Sequence, residues 1–481
     1  MEKNMQTENR YNLSYRLKQV KNSRWILFSI VAILYIGWTI WLNNYWVLFG
    51  LLLLIDLYLT QYIPWGWWKK SKNKALRKVM EWVDAIVYAL VLVYFIFTFL
   101  FQNFQIPSSS LEKTLLVGDY LFVSKLSYGP RVPNTPFFFP LAQHTMPVIG
   151  TKSYIDWPQW DYHRLKGLGN VKRNDIVVFN FPAGDTVALK MQNPDYYTLV
   201  HYYGRDAIHR NKDLYGDIIY RPVDRRENYV KRCVGLPGDT FHIINNDIYI
   251  DGIKQQRPKN MQLNYYVATN GVRINEQQFR DMDISVADRT LLNNENGYSQ
   301  IMALLGIEPE TNGEFNPVYR LPLTEKALKK IKNYSFVTKV IPEPGYFGGD
   351  TYPLVSSNNW TRSDYGPVWI PRKGETIQLT LENLPVYERI IRNYEKNILE
   401  VKDSKIFING KESPSYTFKM DYYMMLGDNR DNSADSRYWG FVPEDHIVGK
   451  PLFVWMSLDN DRGLFDGRFR TSRFLKNVSE E

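Results

Sequence analysis

Cysteine and histidine are scarce in this chain. A single cysteine, Cys233, excludes a disulfide within the chain, and with six histidines it leaves no Cys-rich zinc framework, so no metal or other cofactor is expected. Negative charge is scarce only at the start. Residues 1–103 carry 12 Lys and Arg against 5 Asp and Glu, a surplus of +7 out of a total of +9. The remaining 378 residues hold +2, which argues against nucleic acid as a partner. Low-complexity stretches are missing too: 44% hydrophobic and 23% charged residues exclude wholesale disorder and collagen-like or mucin-like repeats. What is present is length and aromatic content. The 481 residues suggest roughly three units at ~150 residues each, and 15% aromatic residues suggest pleated structure or a membrane interface.

Three apolar runs, Trp25 to Leu42, Trp46 to Tyr62 and about Val83 to Phe101, each approach the ~20 residues that cross a bilayer. Lys3, Arg10, Arg16, Lys18, Lys21 and Arg24 precede the first run, and Lys69, Lys70, Lys72, Lys74, Arg77 and Lys78 separate the second from the third. Basic loops stay in the cytoplasm. The expected layout is a cytoplasmic N-terminus over 1–24 and three transmembrane helices within 25–102. A basic cytoplasmic loop falls near 63–82, and everything after about residue 102 lies on the far side. The first run starts late and leads straight into another apolar run, unlike a cleaved leader. Asp56, inside the second run, is expected to make a hydrogen bond facing the helix bundle.

Beyond the membrane the pattern changes to alternation. Tyr120 to Leu126, Asp175 to Phe181, Phe241 to Ile244 and Ile248 to Ile250 read as strands, predicting a mainly β, antiparallel domain. Asp247-Ile-Tyr-Ile-Asp-Gly-Ile-Lys254 resembles Lys405-Ile-Phe-Ile-Asn-Gly-Lys411, which hairpin turn chemistry explains. Helical periodicity falls mainly between 270 and 396. Asn383 and Thr324 are the expected N-caps of helices there, and 255–396 reads as an α+β insertion of structural character. The segment 131–170 is an apolar loop broken by Pro133, Pro136, Pro140 and Pro158. It carries Phe137, Phe138, Phe139, Trp157 and Trp160, which suit either a membrane interface or a satellite core.

Three stretches carry chemistry. Ile106-Pro-Ser-Ser-Ser-Leu-Glu-Lys-Thr114 is a serine cluster after a proline. In Tyr229-Val-Lys-Arg-Cys-Val234, alternation puts Tyr229, Lys231 and Cys233 on one face and Val230, Arg232 and Val234 on the other. Lys231 then shares its face with no charge of its own strand. Burial there would lower the amine's pKa and leave it neutral, as a general base requires; taken by itself the segment fits a snorkelling or exposed strand lysine better. In Gly427-Asp-Asn-Arg-Asp-Asn-Ser-Ala-Asp-Ser-Arg437, the acids Asp428, Asp431 and Asp435 alternate with Arg430 and Arg437, which favours an internal ion-pair network over a calcium cage.

Taken together, Pro107 to Gly129, Asp175 to Asp239 and Gly427 to about Met456 resemble the type I bacterial signal peptidases, in that family's order. The resemblance implies an antiparallel β catalytic domain shared with self-cleaving repressors, made of residues 103–254 and 397–460 around the insertion, with a tail over 461–481. It implies a Ser/Lys dyad serine protease that removes signal peptides through an acyl-enzyme on Ser110, with Lys231 as general base. Ser108 and the Ser110 N–H are implied as the oxyanion hole, Ser433 as the group orienting Lys231, and Asp435 with Arg437 as a supporting ion pair. Implied partners are secretory preproteins with small residues at the cleavage site, membrane lipids and the export machinery. The implied place is the bacterial inner membrane, with the catalytic domain on the periplasmic side. The chain departs from the common pattern Pro-Ser-Gly-Ser-Met-x-Pro-Thr at Ser109, Leu111 and Lys113, and a return to Pro at 113 is expected to be tolerated. Two alternatives stand beside this reading. Ser110-x-x-Lys113, with Ser357-Asn-Asn359, is the pattern of penicillin-recognising acyl enzymes, and a catalytically inactive membrane-anchored binding module is the other.

Overall fold

Apolar segments in a lipid interior satisfy their backbone groups internally, and the helix is the simplest way to do so. The chain begins accordingly. A computed structural model describes residues 13–182, 186–191, 194–286, 288–292, 298–309, 313–355, 358–459, 461–463 and 465–478. Lys3, Arg10 and Ser357 lie outside the described residues. The chain divides into two compact units, Met1–Phe97 and Thr98–Glu481.

Among the described residues of the first unit two helices are long and apolar enough to cross a membrane, Asn22–Leu42 and Lys74–Leu100. Asn73 caps the second by accepting from the backbone N–H of Ala75 (2.9 Å) and Leu76 (3.2 Å). The third expected crossing is shorter than the sequence suggested. The middle run forms the apolar helix Tyr45–Thr60, which at ~1.5 Å per residue rises roughly 24 Å, against a hydrocarbon core of ~30 Å. Asp56 is the reason. Its carboxylate accepts from Thr60 Oγ1 (2.5 Å), Trp65 Nε1 (2.9 Å) and the backbone N–H of Tyr62 (2.7 Å) and Ile63 (3.1 Å). Those bonds close the helix locally, and the chain turns at Gln61 in the left-handed region, φ 46°. Asp56 thus caps a turn of its own segment.

The second unit is mainly antiparallel β. One large sheet runs in the order Phe101–Gln105, Asp119–Ser124, Ile447–Ser457, Ile176–Asn180, Asn228–Gly235, Tyr422–Leu426 and Val442–Pro443, with Lys476–Asn477 also pairing to Ile447–Ser457. The Ile447–Ser457 strand joins two halves. Its start pairs with Ile176–Asn180 and the rest with Asp119–Ser124, and register shifts in both pairings bend the sheet. Alternation sorts the Asn228–Gly235 strand as its sequence predicts. Cys233 and Tyr229 pack with Phe179, Met425 and Trp439, while Val230 packs against Ile176, Val178 and Leu121 on the other side.

The two similar motifs are hairpins. Ile250 pairs with Ile253 and Ile408 with Lys411 across Asp251-Gly252 and Asn409-Gly410, all four with φ between 49° and 80°. Positive φ at both turn positions is what a two-residue hairpin loop needs, and Asp-Gly and Asn-Gly supply it at low cost. Within 255–396 a four-stranded sheet, ordered Thr290–Leu292, Val318–Thr324, Gln262–Thr269 and Val337–Pro342, carries the helices Glu276–Asp281, Tyr298–Leu304 and Glu325–Lys332. Thr324 caps the last of these through Ala327 N (3.2 Å). Asn383 does not cap the helix Leu384–Arg389, because its side chain turns back to Thr380 N (2.9 Å) and Gln378 O (2.9 Å). The later strand Tyr365–Trp369 returns to pair with Thr240–Ile244. In the 131–170 loop the aromatic residues divide. Phe138 lies under the Arg225 guanidinium at 3.9 Å, whereas Phe137 is 57% and Trp157 81% exposed.

Candidate active site

Pro107 leads the chain out of the first strand into a single 3₁₀ turn, Ser109–Leu111. Leu111 and Leu115 plug this turn into the core beside Leu121, Val123 and Ile176. Ser110 is thereby buried, while Ser108, in extended conformation two residues earlier, is exposed. On the sheet, Lys231 stands opposite Val177 in register. Its side chain is 3% exposed, and Nζ donates to Ser110 Oγ at 2.6 Å across 121 residues of sequence. Among the described residues that oxygen is the only hydrogen-bond partner of the amine.

Burial lowers the Lys231 pKa to about 8. Asp435 and then Asp428 act against burial by favouring the charged form, and Arg437 acts with it. Neither carboxylate forms an ion pair with the amine, because each is committed to an arginine. Asp428 takes Arg232 Nε (2.8 Å) and Nη2 (2.7 Å), and Asp435 takes Arg437 Nε and Nη2 (both 2.8 Å). The field at Lys231 is thus that of two neutralised pairs, and desolvation dominates.

The turn following Leu426 holds the serine turn in place. Asn429 donates its backbone N–H to Ser110 O (3.1 Å) and Nδ2 to Ser109 O (3.2 Å), and Thr114 Oγ1 donates to Asp428 Oδ2 (2.8 Å). Gly427 permits this approach. A Cβ there would sit 2.6 Å from Ser110 O and 2.3 Å from Ser433 Oγ. Ser433 is buried within this contact, but its hydroxyl makes no hydrogen bond among the described residues, so the expected bond to Lys231 is not formed. Ser108 likewise makes no capping bond with its side chain.

Asp428, Thr114, Arg232, Asn429 and Gln262 were not singled out as site residues in the sequence. One signal was available, since a cation at 232 between Val230 and Val234 on a buried strand requires a carboxylate partner. Nothing local in the sequence marks Glu112 either. It is buried, Oε2 has no hydrogen-bond partner among the described residues, and burial raises its pKa to about 7.

Lys113 fails the helical requirement of the S-x-x-K pattern. The 3₁₀ turn ends at Leu111, Glu112 has ψ 146°, and Lys113 lies at φ 74°. Lys113 is therefore not stacked one α-helical turn beyond Ser110. The same φ corrects the expectation for proline at 113, whose ring fixes φ near −65° and cannot follow this turn.

Along most of its length the chain is similar to known proteins. The family model described as signal peptidase, peptidase S26, matches residues 79–295 and 372–456, more than half of the chain. A protein of Buchnera aphidicola subsp. Baizongia pistaciae named signal peptidase I is 25% identical over 403 residues, 82% of this chain and 83% of its own length. One from Haemophilus influenzae with the same name is 25% identical over 409 residues, 85% of this chain and 78% of its own. A third, from Helicobacter pylori, is 23% identical over 385 residues, 80% and 85% of the two chains. With the family match spanning both the serine turn and the lysine strand, and relatives aligning along about four fifths of the sequence, the chain belongs to the signal peptidase family, peptidase S26.

Proposed function

We propose that the protein is a membrane-anchored signal peptidase I that removes signal peptides from exported preproteins, with Ser110 as nucleophile and Lys231 as general base. The observation that carries this reading is the 2.6 Å contact between Lys231 Nζ and Ser110 Oγ, both side chains buried. An amine with a pKa of about 8 is neutral in about a tenth of molecules at pH 7 and half at pH 8, far more than an ordinary lysine, and that neutral form can accept the Ser110 proton as Oγ attacks the carbonyl at the cleavage site. The tetrahedral intermediate collapses to an ester on Ser110. The mature protein's amino group leaves with the proton held by Lys231, and a water deprotonated by the same amine then hydrolyses the ester.

The Ser108 hydroxyl and the Ser110 N–H serve the oxyanion, where one donor is typically worth ~2.7 to 4 kcal/mol. The Ser433 hydroxyl, without a partner among the described residues, is available to orient the Lys231 amine, and Asp435 with Arg437 fixes the turn behind it. An extended substrate adds as a strand, its small side chains entering shallow pockets, so cleavage follows an Ala-x-Ala type sequence.

In this reading residues 103–254 and 397–460 are the catalytic domain and 255–396 its insertion. The short helix Tyr45–Thr60 is a third crossing completed by local thinning or tilt of its neighbours, which leaves the catalytic domain on the periplasmic face of the inner membrane, near the export machinery. The exposed Phe137 and Trp157 suit the lipid headgroup boundary there. The test is to incubate the detergent-solubilised protein with a secretory preprotein and to sequence the new N-terminus. Cleavage after a small-x-small sequence is expected; acylation by a penicillin in place of cleavage would overturn the reading.

A further inference from the structure

The inserted segment runs directly along both active-site turns. Its first strand, Gln262–Thr269, begins with Gln262, which donates its backbone N–H to Asp428 O (2.8 Å) and Nε2 to Glu112 O (3.0 Å). Two residues on, Asn264 donates its N–H to Asp431 Oδ2 (2.8 Å) and exchanges amide hydrogen bonds with Asn432, both 3.1 Å. Both side chains are fully buried. Behind them lies Arg362, 3% exposed. Its Nε is 3.0 Å from Asp431 Oδ1 and its Nη2 2.9 Å from Glu343 Oε2, ion-pair contacts without hydrogen-bond geometry, while Nη1 donates to Asp431 O (3.3 Å) and Nη2 to Pro344 O (3.4 Å). The Arg362 carbonyl in turn accepts Arg437 Nη1 (3.0 Å). Arg437 is the partner of Asp435, the carboxylate with the largest effect on Lys231. Arg362 and Glu343 both fall in residues 296–371, which the family match skips.

We propose that Arg362 is a positioning residue for the Ser110–Lys231 pair, holding the 428–437 loop against the serine turn, so that the inserted segment is part of the active-site scaffold. The inference rests on the proposed peptidase function. A guanidinium spreads its charge over a plane wide enough to face Asp431 and Glu343 together, whereas a lysine offers a point charge that reaches one of them well. Glu343 keeps a second cation, because Arg320 binds it through Nε (2.8 Å) and Nη2 (2.9 Å). Asp431 has no other ion pair among the described residues. Removing the Arg362 side chain therefore strands the loop carboxylate and releases the loop that sets the dyad, while the substrate-binding surface remains.

The experiment compares full-length, detergent-solubilised wild type, Ser110→Ala, Arg362→Gln, Arg362→Lys and Asn264→Ala. It measures kcat and KM on a peptide spanning a cleavage site, beside the unfolding temperature of each. A misplacement of about 1 Å in a catalytic pair costs on the order of a hundredfold. Arg362→Gln is accordingly expected to lower kcat between tenfold and a hundredfold, about the range of that effect, with KM changed less than about twofold. Arg362→Lys should recover part of the loss. If Arg362→Gln does not fold, Asn264→Ala carries the same test without stranding a charge, with a severalfold fall in kcat and unchanged KM. A folded Arg362→Gln or Asn264→Ala variant with wild-type kcat overturns the inference alone. Absence of cleavage by the wild type overturns the peptidase reading and the inference with it.

Discussion

The rate of cleavage should titrate with Lys231, and the interval from pH 8 to 9 decides whether burial has done what the geometry implies. With a pKa of about 8, the neutral fraction of the amine is about 1% at pH 6, 10% at pH 7, half at pH 8 and 90% at pH 9. The base works only when neutral, so the rate rises with pH. Between pH 6 and 8 kcat/KM should climb about fiftyfold, and between 8 and 9 less than about twofold. An unperturbed lysine, near 10.4, would still gain about tenfold over that last unit. The assay is steady-state cleavage of a fluorogenic peptide with a small-x-small site, at substrate well below KM so that the free enzyme is titrated. Glu112, raised to about 7 beside the serine turn, is the competing ionisation, and the same profile in Glu112→Gln assigns the step to Lys231. A flat profile from pH 6 to 8 refutes a titrating base, and a tenfold rise from 8 to 9 refutes its desolvation.

Arg232→Leu should destabilise the fold by roughly 3 to 5 kcal/mol, because Asp428 is left as an unpaired buried charge; chemical denaturation of the solubilised protein measures this. Glu112→Gln acts through pH. A carboxyl held at about 7 in the fold against an ordinary value near 4.5 gives stability that is full in acid and lost as pH rises through 7, roughly 3 kcal/mol in all. The Gln variant, which cannot ionise, should therefore unfold at a higher temperature than wild type at pH 8 and at nearly the same temperature at pH 5. For topology, impermeant thiol labelling of intact cells should reach a cysteine at Asn44 and miss one at Ser71, with native Cys233 silent because it is buried. Labelling at Ser71 would contradict the three-crossing arrangement.

Local patterns were legible in the sequence and long-range partnerships were not. Alternation placed Lys231 with Tyr229 and Cys233 on one face, Asp-Gly and Asn-Gly marked the two hairpins, and Thr324 marked its helix start, since each depends on neighbours a few residues away. Asn383 misled because Thr380 and Gln378, equally close, compete for its side chain. Apolar length alone suggested three equal crossings, but Asp56 has four donors within nine residues and ends its helix early. Thr114 and Asp428 are 314 residues apart, and Gln262 reaches Glu112 across 150. No periodicity encodes such contacts, so 255–396 reads as merely structural in the sequence although it touches both the serine turn and the 428–437 loop. Lys113 is a related case: its left-handed φ is set by the turn that buries Leu111 and Thr114, not by its own side chain.

The most direct test of the Ser110–Lys231 account is processing of a secretory preprotein by wild type, Ser110→Ala and Lys231→Ala side by side, with the unfolding temperature of each. Wild type should release a product beginning after a small-x-small sequence, and both variants should unfold like wild type yet release none. Retained cleavage in folded Lys231→Ala would contradict the account, because no other amine contacts Ser110 Oγ among the described residues.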